Sequence, residues 1–436
     1  MNPVESELVV DMGEELAEFR ASMRDWIGGS APRGLADLVD WYDGATILAG
    51  SNRNVHADAL ASPEYAAWER ALVDEGLIYP HWPVAAGGKG WTEVQTAIFA
   101  QECERVGVPR VKRGFSADLV GTALLSHGTA EQQAFFLPRI VAGTDRYCQG
   151  FSEPNHGSDL AGVTTRGVVD GDEIVVTGQK VWTSAYEPAN MIFVLCRTDP
   201  AAPRRDALSF VLLPFGPDNN IEVRGIRQMT GAIEFAEDFL DGARAPLFNV
   251  IGGLGNGWAV AMSTLATERG ADLLGSYLGY ARELRALIDH AHETGAVDDP
   301  LLRQRLARAY VDVQIMRAQA AIALSNAASG QPSDTLGFVS KLQWSEYGLR
   351  LGQLAVDVAG VDGIIRPDVQ APGAPAFVGD YRTDRWQDLL LSGRGATIFS
   401  GSNEIQRNII AEQVLQLPRE PRGIKPVENQ AQQVSS

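Results

Sequence analysis

At residues 150–162 the chain reads Gly-Phe-Ser-Glu-Pro-Asn-His-Gly-Ser-Asp-Leu-Ala-Gly, and here its hydrophobic pattern changes. Before this stretch the apolar residues recur with the period of a helix, and after it they form short runs rich in Val, Ile, Phe and Thr. Gly, Asp, Pro and Asn separate these runs. Regularly spaced short strands are typical of an antiparallel sandwich or barrel, so we predict a β domain here. The predicted strands are Glu173–Thr183, Met191–Thr198, Ala207–Pro214, Ile221–Met229 and Ile233–Leu240.

Helical patterns flank this β region on both sides, because apolar residues there recur at spacings of three and four. The N-terminal helices are predicted over Glu14–Trp26, Tyr65–Glu75, Val94–Val106 and Glu131–Ala142. The C-terminal helices are predicted over Trp258–His290, Leu302–Ser325, Ser340–Val358 and Asn403–Leu415. The order of the elements is therefore helices, strands and helices again.

This order predicts an α+β protein with three domains and a tail. We expect an N-terminal helical domain at residues 1–145, a middle antiparallel β domain at 146–252 and a C-terminal helical bundle at 253–418. Residues 419–436 are polar and are predicted to form a flexible tail. Pro367–Asp380 is rich in Pro and Gly and is predicted to be an exposed insertion.

The composition excludes several classes of protein. The 436 residues are 45% hydrophobic and 21% charged, which is typical of a globular protein with a sizeable core. Asp and Glu total 55 and Lys and Arg total 37, and the formal net charge of -18 argues against a general nucleic-acid-binding protein. The apolar runs are far shorter than the roughly 20 residues of a membrane span, and no signal-peptide pattern is present. We therefore expect a soluble, cytoplasmic protein.

No metal site or disulfide framework is expected from the cysteines and histidines. Cys103, Cys148 and Cys196 are widely spaced and form no Cys-x-x-Cys motif. His81, His127, His156 and His290 do not cluster at ligand spacing. The glycine-rich stretch Gly252–Gly257 lacks the Lys-Ser/Thr of a P-loop, so we predict a loop that leads into a helix.

Two motifs resemble those of the acyl-CoA dehydrogenases, a flavoprotein family. The first is the stretch at 150–162 together with Gly178-Gln-Lys-Val-Trp-Thr-Ser184, and the second is Ile398-Phe-Ser-Gly-Ser-Asn-Glu-Ile-Gln-Arg407. Pro83…Gly87-Gly88 and Gln228-Met229-Thr230-Gly231 resemble other landmarks of that family. The resemblance covers roughly residues 14 to 419, and it implies the same order of helical, β and helical domains. Two long motifs in the right order are far more specific than a single short glycine pattern.

The resemblance implies an FAD enzyme that oxidises an acyl-CoA thioester. In the family, a base removes the α-proton while the β-hydrogen leaves as hydride to N5 of FAD, and the product is a trans-2-enoyl-CoA. Because the α-carbon is a weak acid, hydrogen-bond donors must hold the thioester oxygen, and the base must lie in a dry pocket. The resemblance further implies an electron-transfer flavoprotein as acceptor and a homo- or hetero-tetramer.

By their positions in the motifs, several residues are implied to contact the flavin or the substrate. Ser152 is expected to hydrogen-bond the pyrimidine edge of the flavin, and Trp182 to pack against the isoalloxazine. The expected polar contacts near O4 and N5 come from Thr183 and Ser184. The remaining assignments are Gly401, Ser402 and Glu404 along the ribityl and phosphate region, and Ser158 beside the pantetheine arm. Without the resemblance, Ser152 is interpreted as a helix cap and Trp182 as ordinary core.

The catalytic base is predicted to be Glu268. Many family members carry a glutamate directly before the Gly of the second motif, but this chain has Ser400 there. A smaller group, including the isovaleryl and long-chain types, carries it before an arginine on the first long C-terminal helix, where this chain reads Thr267-Glu268-Arg269. Arg269 is accordingly a candidate substrate contact, and the backbone N–H of Ser400 is a candidate donor to the thioester oxygen. The alternative is that Glu268 is a solvated helix glutamate.

Two stretches depart from the family pattern for binding the FAD pyrophosphate of a neighbouring subunit. His292-Glu-Thr-Gly-Ala-Val-Asp298 replaces Arg-x-x-Phe-Gly, and Asp357-Val-Ala-Gly-Val-Asp-Gly363 replaces Gln-x-x-Gly-Gly-x-Gly. An anionic group loses a cation here and meets extra carboxylates, although Arg303 and Arg305 are near. Either the flavin is retained through other contacts, or a partner subunit completes the site.

Two other functions stay open. Ser400 in place of glutamate suits a flavin oxidase or monooxygenase of the same fold that acts on a non-CoA substrate. The altered pyrophosphate motifs suit a non-catalytic partner subunit of a mixed dehydrogenase. In addition, Asn155-His156 lies where relatives have small residues, so His156 is either a substrate contact or part of the loop packing.

Overall fold

The computed structural model describes residues 13–35, 62–111, 113–230, 233–270, 273–329, 334–364 and 386–419. The insertion predicted at Pro367–Asp380 and nearly all of the tail predicted at 419–436 lie outside these residues. Within them, no helix is long and apolar enough to cross a membrane, and no group of three or more His, Cys, Asp or Glu is arranged to hold a metal ion.

The N-terminal part is helical, as predicted. Its helices are α1 (Gly13–Ser30), α2 (Pro63–Asp74), α3 (Glu93–Val106), α4 (Thr122–His127) and α5 (Ala130–Val141), and a π-helical turn at Ser116–Gly121 leads into α4. The start of α2 has the expected chemistry, since the Ser62 hydroxyl accepts from the Tyr65 N–H at 3.0 Å and Pro63 is the first helical residue. A capping box formed by Thr129 and Gln132 begins α5.

The middle part is one eight-stranded sheet in the order β6-β7-β3-β2-β4-β5-β8, with β1 paired to β4. The strands are β1 (Tyr147–Gly150), β2 (Arg166–Asp170), β3 (Glu173–Ser184), β4 (Met191–Arg197), β5 (Leu208–Pro214), β6 (Ile221–Ile226), β7 (Phe235–Pro246) and β8 (Val250–Ile251). The prediction of an antiparallel domain needs one correction, because β4 runs parallel to β1 and to β2. The loop at 151–165 and the β2–β3 hairpin separate β1 from β4, and a crossover of that length permits parallel pairing.

The C-terminal part is again helical. Its helices are α6 (Gly257–Gly270), α7 (Leu273–Glu293), α8 (Pro300–Ala328), α9 (Asp334–Ala359), α10 (Trp386–Ala396) and α11 (Asn403–Ile409), and a π-helical turn at Ile410–Val414 follows α11. The single helix predicted over Trp258–His290 corresponds to α6 and α7, and residues 271 and 272 between them lie outside the described part. The glycine-rich stretch before α6 is a loop that leads into this helix, as predicted.

Helix α6 joins the sheet to the helical parts. Val260 and Ala261 of α6 belong to the same buried cluster as Phe193 and Phe210 of the sheet and Leu124 of α4. A second apolar cluster fills the other side of the sheet, and a third lies among α7, α8, α9 and α10. The position of α6 is therefore fixed by the β domain as well as by the N-terminal helices.

We expect Gly257→Ala to weaken this junction. A Cβ at Gly257 would lie 2.5 Å from the Cα of Ser209 and 2.6 Å from the nitrogen of Phe210, so α6 must move away from β5. Such overpacking lowers the free energy of unfolding by about 1–3 kcal/mol, which urea denaturation measures. Gly28→Ala is the control, because Gly28 is exposed on α1 and nothing lies within 4 Å of its Cβ, so the stability should be unchanged or slightly higher. Equal unfolding free energies for the two variants would contradict this account.

Candidate active site

A buried ion pair holds the loop of the first motif against the sheet. Lys180 of β3 is fully buried, and its Nζ donates to Glu153 Oε1 at 3.1 Å. The same ammonium group donates to the carbonyl oxygens of Phe151 (3.1 Å) and Leu195 (2.8 Å). The Glu153 carboxylate accepts further hydrogen bonds from Thr164 N (2.7 Å), Thr164 Oγ1 (2.7 Å) and Thr165 N (2.8 Å). The hydrogen bonds of Glu153 and Lys180 therefore hold the backbone of the loop against the sheet.

The shifted pKa values of Glu153 and Lys180 indicate that this ion pair has a structural role. Burial by itself raises the pKa of Glu153, but the Lys180 ammonium and the hydrogen bonds from Thr165 and Thr164 outweigh it and lower this pKa to about 2. Burial lowers the pKa of Lys180, and the attraction of Glu153 opposes that shift. Because Glu153 binds a proton so weakly, it is not suited to act as a base at neutral pH.

Ser152 lies at the start of this loop and Ser158 lies in its middle. Ser152 is half-buried, and its carbonyl oxygen accepts from the N–H of Val181 at 3.0 Å, which brings it beside the Trp182 region of β3. No helix begins directly after Ser152, since the next helical turn starts at Leu160, so its interpretation as a helix cap is wrong. Ser158 is exposed, and the neighbouring Asp159 forms an ion pair with Arg204.

Strand β3 carries a β-bulge at Trp182. Val181 pairs with Glu237 and Thr183 pairs with Ala236, so Trp182 is an extra residue in the ladder. Its φ of 64° lies in the left-handed region, which bulky residues rarely adopt, and its side chain is 58% exposed. The interpretation of Trp182 as ordinary core is therefore wrong. Strained backbone that presents a flat aromatic ring to the surface is a feature of ligand sites.

The bulge also turns Thr183 inward. Thr183 is fully buried, and its hydroxyl donates to Oδ2 of Asp238 on β7. Since that hydroxyl is buried and donates to Asp238, only the backbone groups of Thr183 remain for the predicted contact with a flavin. Ser184 is half-buried and follows on the same side of the strand as Trp182, so its hydroxyl keeps the predicted role.

The second motif contains a strained turn before α11. Ser400 has a φ of 54° and Gly401 a φ of 84°, so two successive residues are left-handed. The φ of Gly401 explains the glycine, because residues with a Cβ rarely adopt this conformation. The Ser402 hydroxyl accepts from the N–H of Ile405 at 3.4 Å and caps α11. The predicted flavin contacts at Gly401 and Ser402 stay predictions.

Glu404 is exposed in the first turn of α11 and lines an open pocket. Arg350 and Arg407 line the same pocket, and both guanidinium groups form ion pairs with Glu346. Guanidinium groups are the cations that best fit phosphate oxygens. The pocket thus has both signs of charge, and the prediction that Glu404 lies near the ribityl and phosphate region is not tested by this geometry.

The predicted base lies on α6. The backbones of Glu268 and Arg269 belong to this helix, but both side chains lie outside the described part, so their predicted roles stay predictions. One turn earlier, Ser263 Oγ lies 3.0 Å from His127 Nε2. This contact and the apolar cluster described above attach the first half of α6 to α4.

The two altered pyrophosphate motifs lie near the C-terminal ends of α7 and α9. Arg305 Nη1 donates to Asp357 Oδ2 at 2.6 Å, and Arg303 Nη1 donates to the carbonyl oxygen of Val297 at 3.2 Å. Both arginines that are close to these motifs therefore already have partners within the chain.

Two residues of this site, Lys180 and Asp238, are not among the predicted ones. Lys180 lies inside the Gly178–Ser184 motif, so a charged residue at an inward position of a strand was a usable signal. Asp238 had no such signal, because its inward position depends on the register between β3 and β7.

These residues fit an isoalloxazine. The exposed, strained indole of Trp182 offers an apolar face, and the half-buried Ser152 and Ser184 beside it offer polar groups for a ring edge. A helical domain, a β domain and a second helical domain in this order, together with such a site, define a class of flavin-dependent oxidoreductases.

The chain belongs to the acyl-CoA dehydrogenase family. Its N-terminal, middle and C-terminal domain families match residues 52–144, 148–237 and 255–415. The chain is 41% identical over 410 residues to acyl-CoA dehydrogenase IpdE1 of Mycobacterium tuberculosis, covering 94% of this chain and 100% of that protein. The prediction of an FAD-dependent acyl-CoA dehydrogenase with the three-domain fold is confirmed at the level of family, fold and cofactor.

Two solved structures are also similar to this chain. One is the Tcur3481-Tcur3483 steroid ACAD, with a TM-score of 0.71 and 27% identity over 94% of this chain and 100% of that one. The other is the ChsE4-ChsE5 complex from Mycobacterium tuberculosis, with a TM-score of 0.70 and 26% identity over 94% of this chain and 99% of that one.

Proposed function

We propose that the protein dehydrogenates an acyl-CoA thioester between Cα and Cβ to give the trans-2-enoyl-CoA, and that electrons then pass to an electron-transfer flavoprotein. The observation that carries this proposal is the exposed Trp182 bulge within the first family motif. The identity to relatives named acyl-CoA dehydrogenases supports the same reaction class.

In this proposal, the chain supplies orientation and proton transfer, and bound FAD supplies the hydride acceptor. Trp182 and Ser184 position the ring system, and Ser158 lies along the pantetheine arm. The backbone N–H of Ser400 holds the thioester oxygen, which stabilises enolate-like charge as the α-proton leaves. Glu268 accepts that proton, and Arg269 contacts the substrate.

For the acyl group, we propose a bulky cyclic substrate derived from a steroid. The support is the likeness to the solved steroid ACAD at 27% identity over most of both chains. A pocket for fused rings must be wider than one for a straight chain, so we expect discrimination by shape rather than by hydrogen bonds.

A panel of CoA thioesters tests the reaction. Under anaerobic conditions, steroid-derived and straight-chain thioesters are added separately to the flavin-containing protein, and bleaching of the flavin is followed. Rapid bleaching by the steroid-derived members, with slow reoxidation by O₂ and fast reoxidation by an electron-transfer flavoprotein, supports the proposal. Fast reoxidation by O₂ alone would favour an oxidase.

A mixed assembly is a second candidate, favoured by one specific observation. The two pyrophosphate motifs are altered, and the nearby Arg303 and Arg305 are already bonded within the chain. The similar ChsE4-ChsE5 complex also contains two different chains. We therefore expect less than one FAD per chain when this protein is expressed alone, and a full complement when a co-purifying homologue is present. Visible absorbance against protein concentration measures the ratio, and one FAD per chain without a partner would exclude the mixed assembly.

A further inference from the structure

A buried carboxyl group lies directly behind the exposed bulge at Trp182. Asp238 of β7 is fully buried and is the cross-strand neighbour of Lys180 on β3. Its Oδ2 accepts from the Thr183 hydroxyl, and its Oδ1 has no hydrogen-bond partner among the described residues. A buried carboxyl group with an unpartnered oxygen destabilises the folded state. Packing therefore gives no reason for an aspartate at this position.

Two buried polar anchors bracket the strained residue. In a regular strand, residues three apart face opposite sides. Lys180 pairs with Asp238 and Thr183 pairs with Ala236, two residues apart on β7, so both face the same side because Trp182 is an extra residue between them. Lys180 is held by Glu153 on one side of the bulge, and Thr183 is held by Asp238 on the other side. If Thr183 lost its acceptor, the backbone at Trp182 would be free to relax from its left-handed conformation.

We propose that Asp238 is a positioning residue, which through Thr183 holds the Trp182 bulge in the conformation that presents the indole to the flavin. This rests on the proposed placement of the flavin against Trp182. It does not depend on the acyl group or on the identity of the base. The prediction concerns cofactor binding, so it is tested without turnover.

The protonation of Asp238 adds a second readout. Burial raises the pKa of Asp238 to about 6, the Thr183 bond opposes this shift and Glu237 adds to it. An ionised carboxylate only accepts a hydrogen bond, whereas the protonated acid also donates one, so the bond to Thr183 changes character near pH 6. The other titratable groups around Asp238 are Glu237 on β7, Lys180 with its partner Glu153, Cys148 on β1 and Tyr186 after β3.

The experiment measures FAD binding to the protein in the form in which it holds flavin, alone or with its partner subunit. Flavin is removed, and FAD is titrated back into the parent and six variants: Thr183→Val, Asp238→Leu, the double variant that combines these two, Asp238→Asn, Trp182→Ala and the control Asn249→Ala. We expect Thr183→Val and Asp238→Leu each to weaken FAD binding about tenfold and to shift the flavin absorption bands. The double variant Thr183→Val/Asp238→Leu should bind FAD no more weakly than the weaker-binding of the two single variants, because both substitutions remove the same hydrogen bond.

Two variants separate positioning from general damage. We expect the FAD affinity of the parent to change near pH 6, where Asp238 gains a proton. Asp238→Asn keeps an acceptor for Thr183 but cannot titrate, so it should bind FAD as the parent does at neutral pH and should lack this change. Asn249→Ala is the matched control, because it removes a buried hydrogen bond to Leu212 O (2.9 Å) beyond the far end of β7 and should leave FAD affinity within twofold.

The outcomes distinguish this inference from the placement on which it rests. If Trp182→Ala changes neither FAD affinity nor the flavin spectrum, the placement of the flavin is wrong. A second outcome is that Trp182→Ala changes the FAD affinity and the flavin spectrum, whereas Thr183→Val and Asp238→Asn bind FAD as the parent does at every pH. In that case the positioning role of Asp238 is wrong. Thr183→Val nearly preserves volume, so the test stands even if Asp238→Leu fails to fold.

Discussion

Replacing Glu268 with glutamine is expected to slow flavin reduction by an acyl-CoA about 10³-fold, because the amide cannot accept the α-proton. Glutamine has almost the same shape as glutamate, so we expect substrate affinity to change little. Anaerobic stopped-flow bleaching of the flavin measures the rate, and titration with the product enoyl-CoA measures binding. A variant that bleaches at the parental rate would show that Glu268 is not the base.

A control and a rescue make this result specific. Glu18→Gln, on α1, removes one carboxylate from an exposed position and should leave the bleaching rate unchanged. In the Glu268→Gln background, Ser400→Glu places a carboxylate at the position used by many other family members. Partial recovery of the rate is expected if both positions reach the same α-carbon. No recovery in a correctly folded double variant would mean that the turn at Ser400 does not point its side chain at that carbon.

Replacing Lys180 with methionine is expected to lower the free energy of unfolding by about 3–5 kcal/mol. The ammonium group is fully buried with three acceptors, and its loss leaves the Glu153 carboxylate buried without a cation. Because this carboxylate anchors the loop of the first motif, we also expect weaker FAD binding. Urea denaturation at pH 7 measures the stability. An unfolding free energy within 1 kcal/mol of the parent would contradict the anchoring role.

The loss should depend on pH in a defined direction. The pKa of Glu153 is lowered to about 2 in the folded protein, so its contribution to stability is present above its ordinary value of 4.5 and is lost as the pH falls towards 2. The difference between the parent and Lys180→Met should therefore shrink below about pH 4.5. The control is Lys89→Met, since Lys89 and Glu75 form a partly exposed pair whose loss changes stability by less than about 1 kcal/mol.

The sequence predicted most of the helices and five of the eight strands that the structure describes, because the periods of 3.6 and 2 are local. Helices α4 and α10 are not among the predicted ones. The missed strands β1, β2 and β8 are short, and β2 has a mostly exposed face, so neither length nor alternation identified them. Strand β7 runs on to Pro246, whereas the prediction ended at Leu240, because Asp241-Gly242 has the composition of a turn. The structure accommodates Gly242 as an irregularity in the ladder, with a φ of 78°.

The site was predictable only as far as motifs specify residue types. The motifs identified Trp182, but the bulge that exposes it comes from the pairing of β3 with β7, and register is a tertiary property. The same register turns the hydroxyl of Thr183 inward to Asp238, 55 residues further along the chain. A motif read residue by residue cannot tell which of two adjacent side chains faces a cofactor.

Labelling of the three cysteines can measure the opening of individual domains. Cys103 lies in the N-terminal helices, Cys148 and Cys196 lie in the sheet, and all three are free and buried. Burial raises the pKa of Cys103 and of Cys196 to about 12 and that of Cys148 well above its usual value, so thiolate is scarce in the native state. A thiol reagent should therefore react only when one of these domains opens. Since the chain beyond residue 252 contains no cysteine, labelling reports on the first two domains and leaves the C-terminal bundle unlabelled.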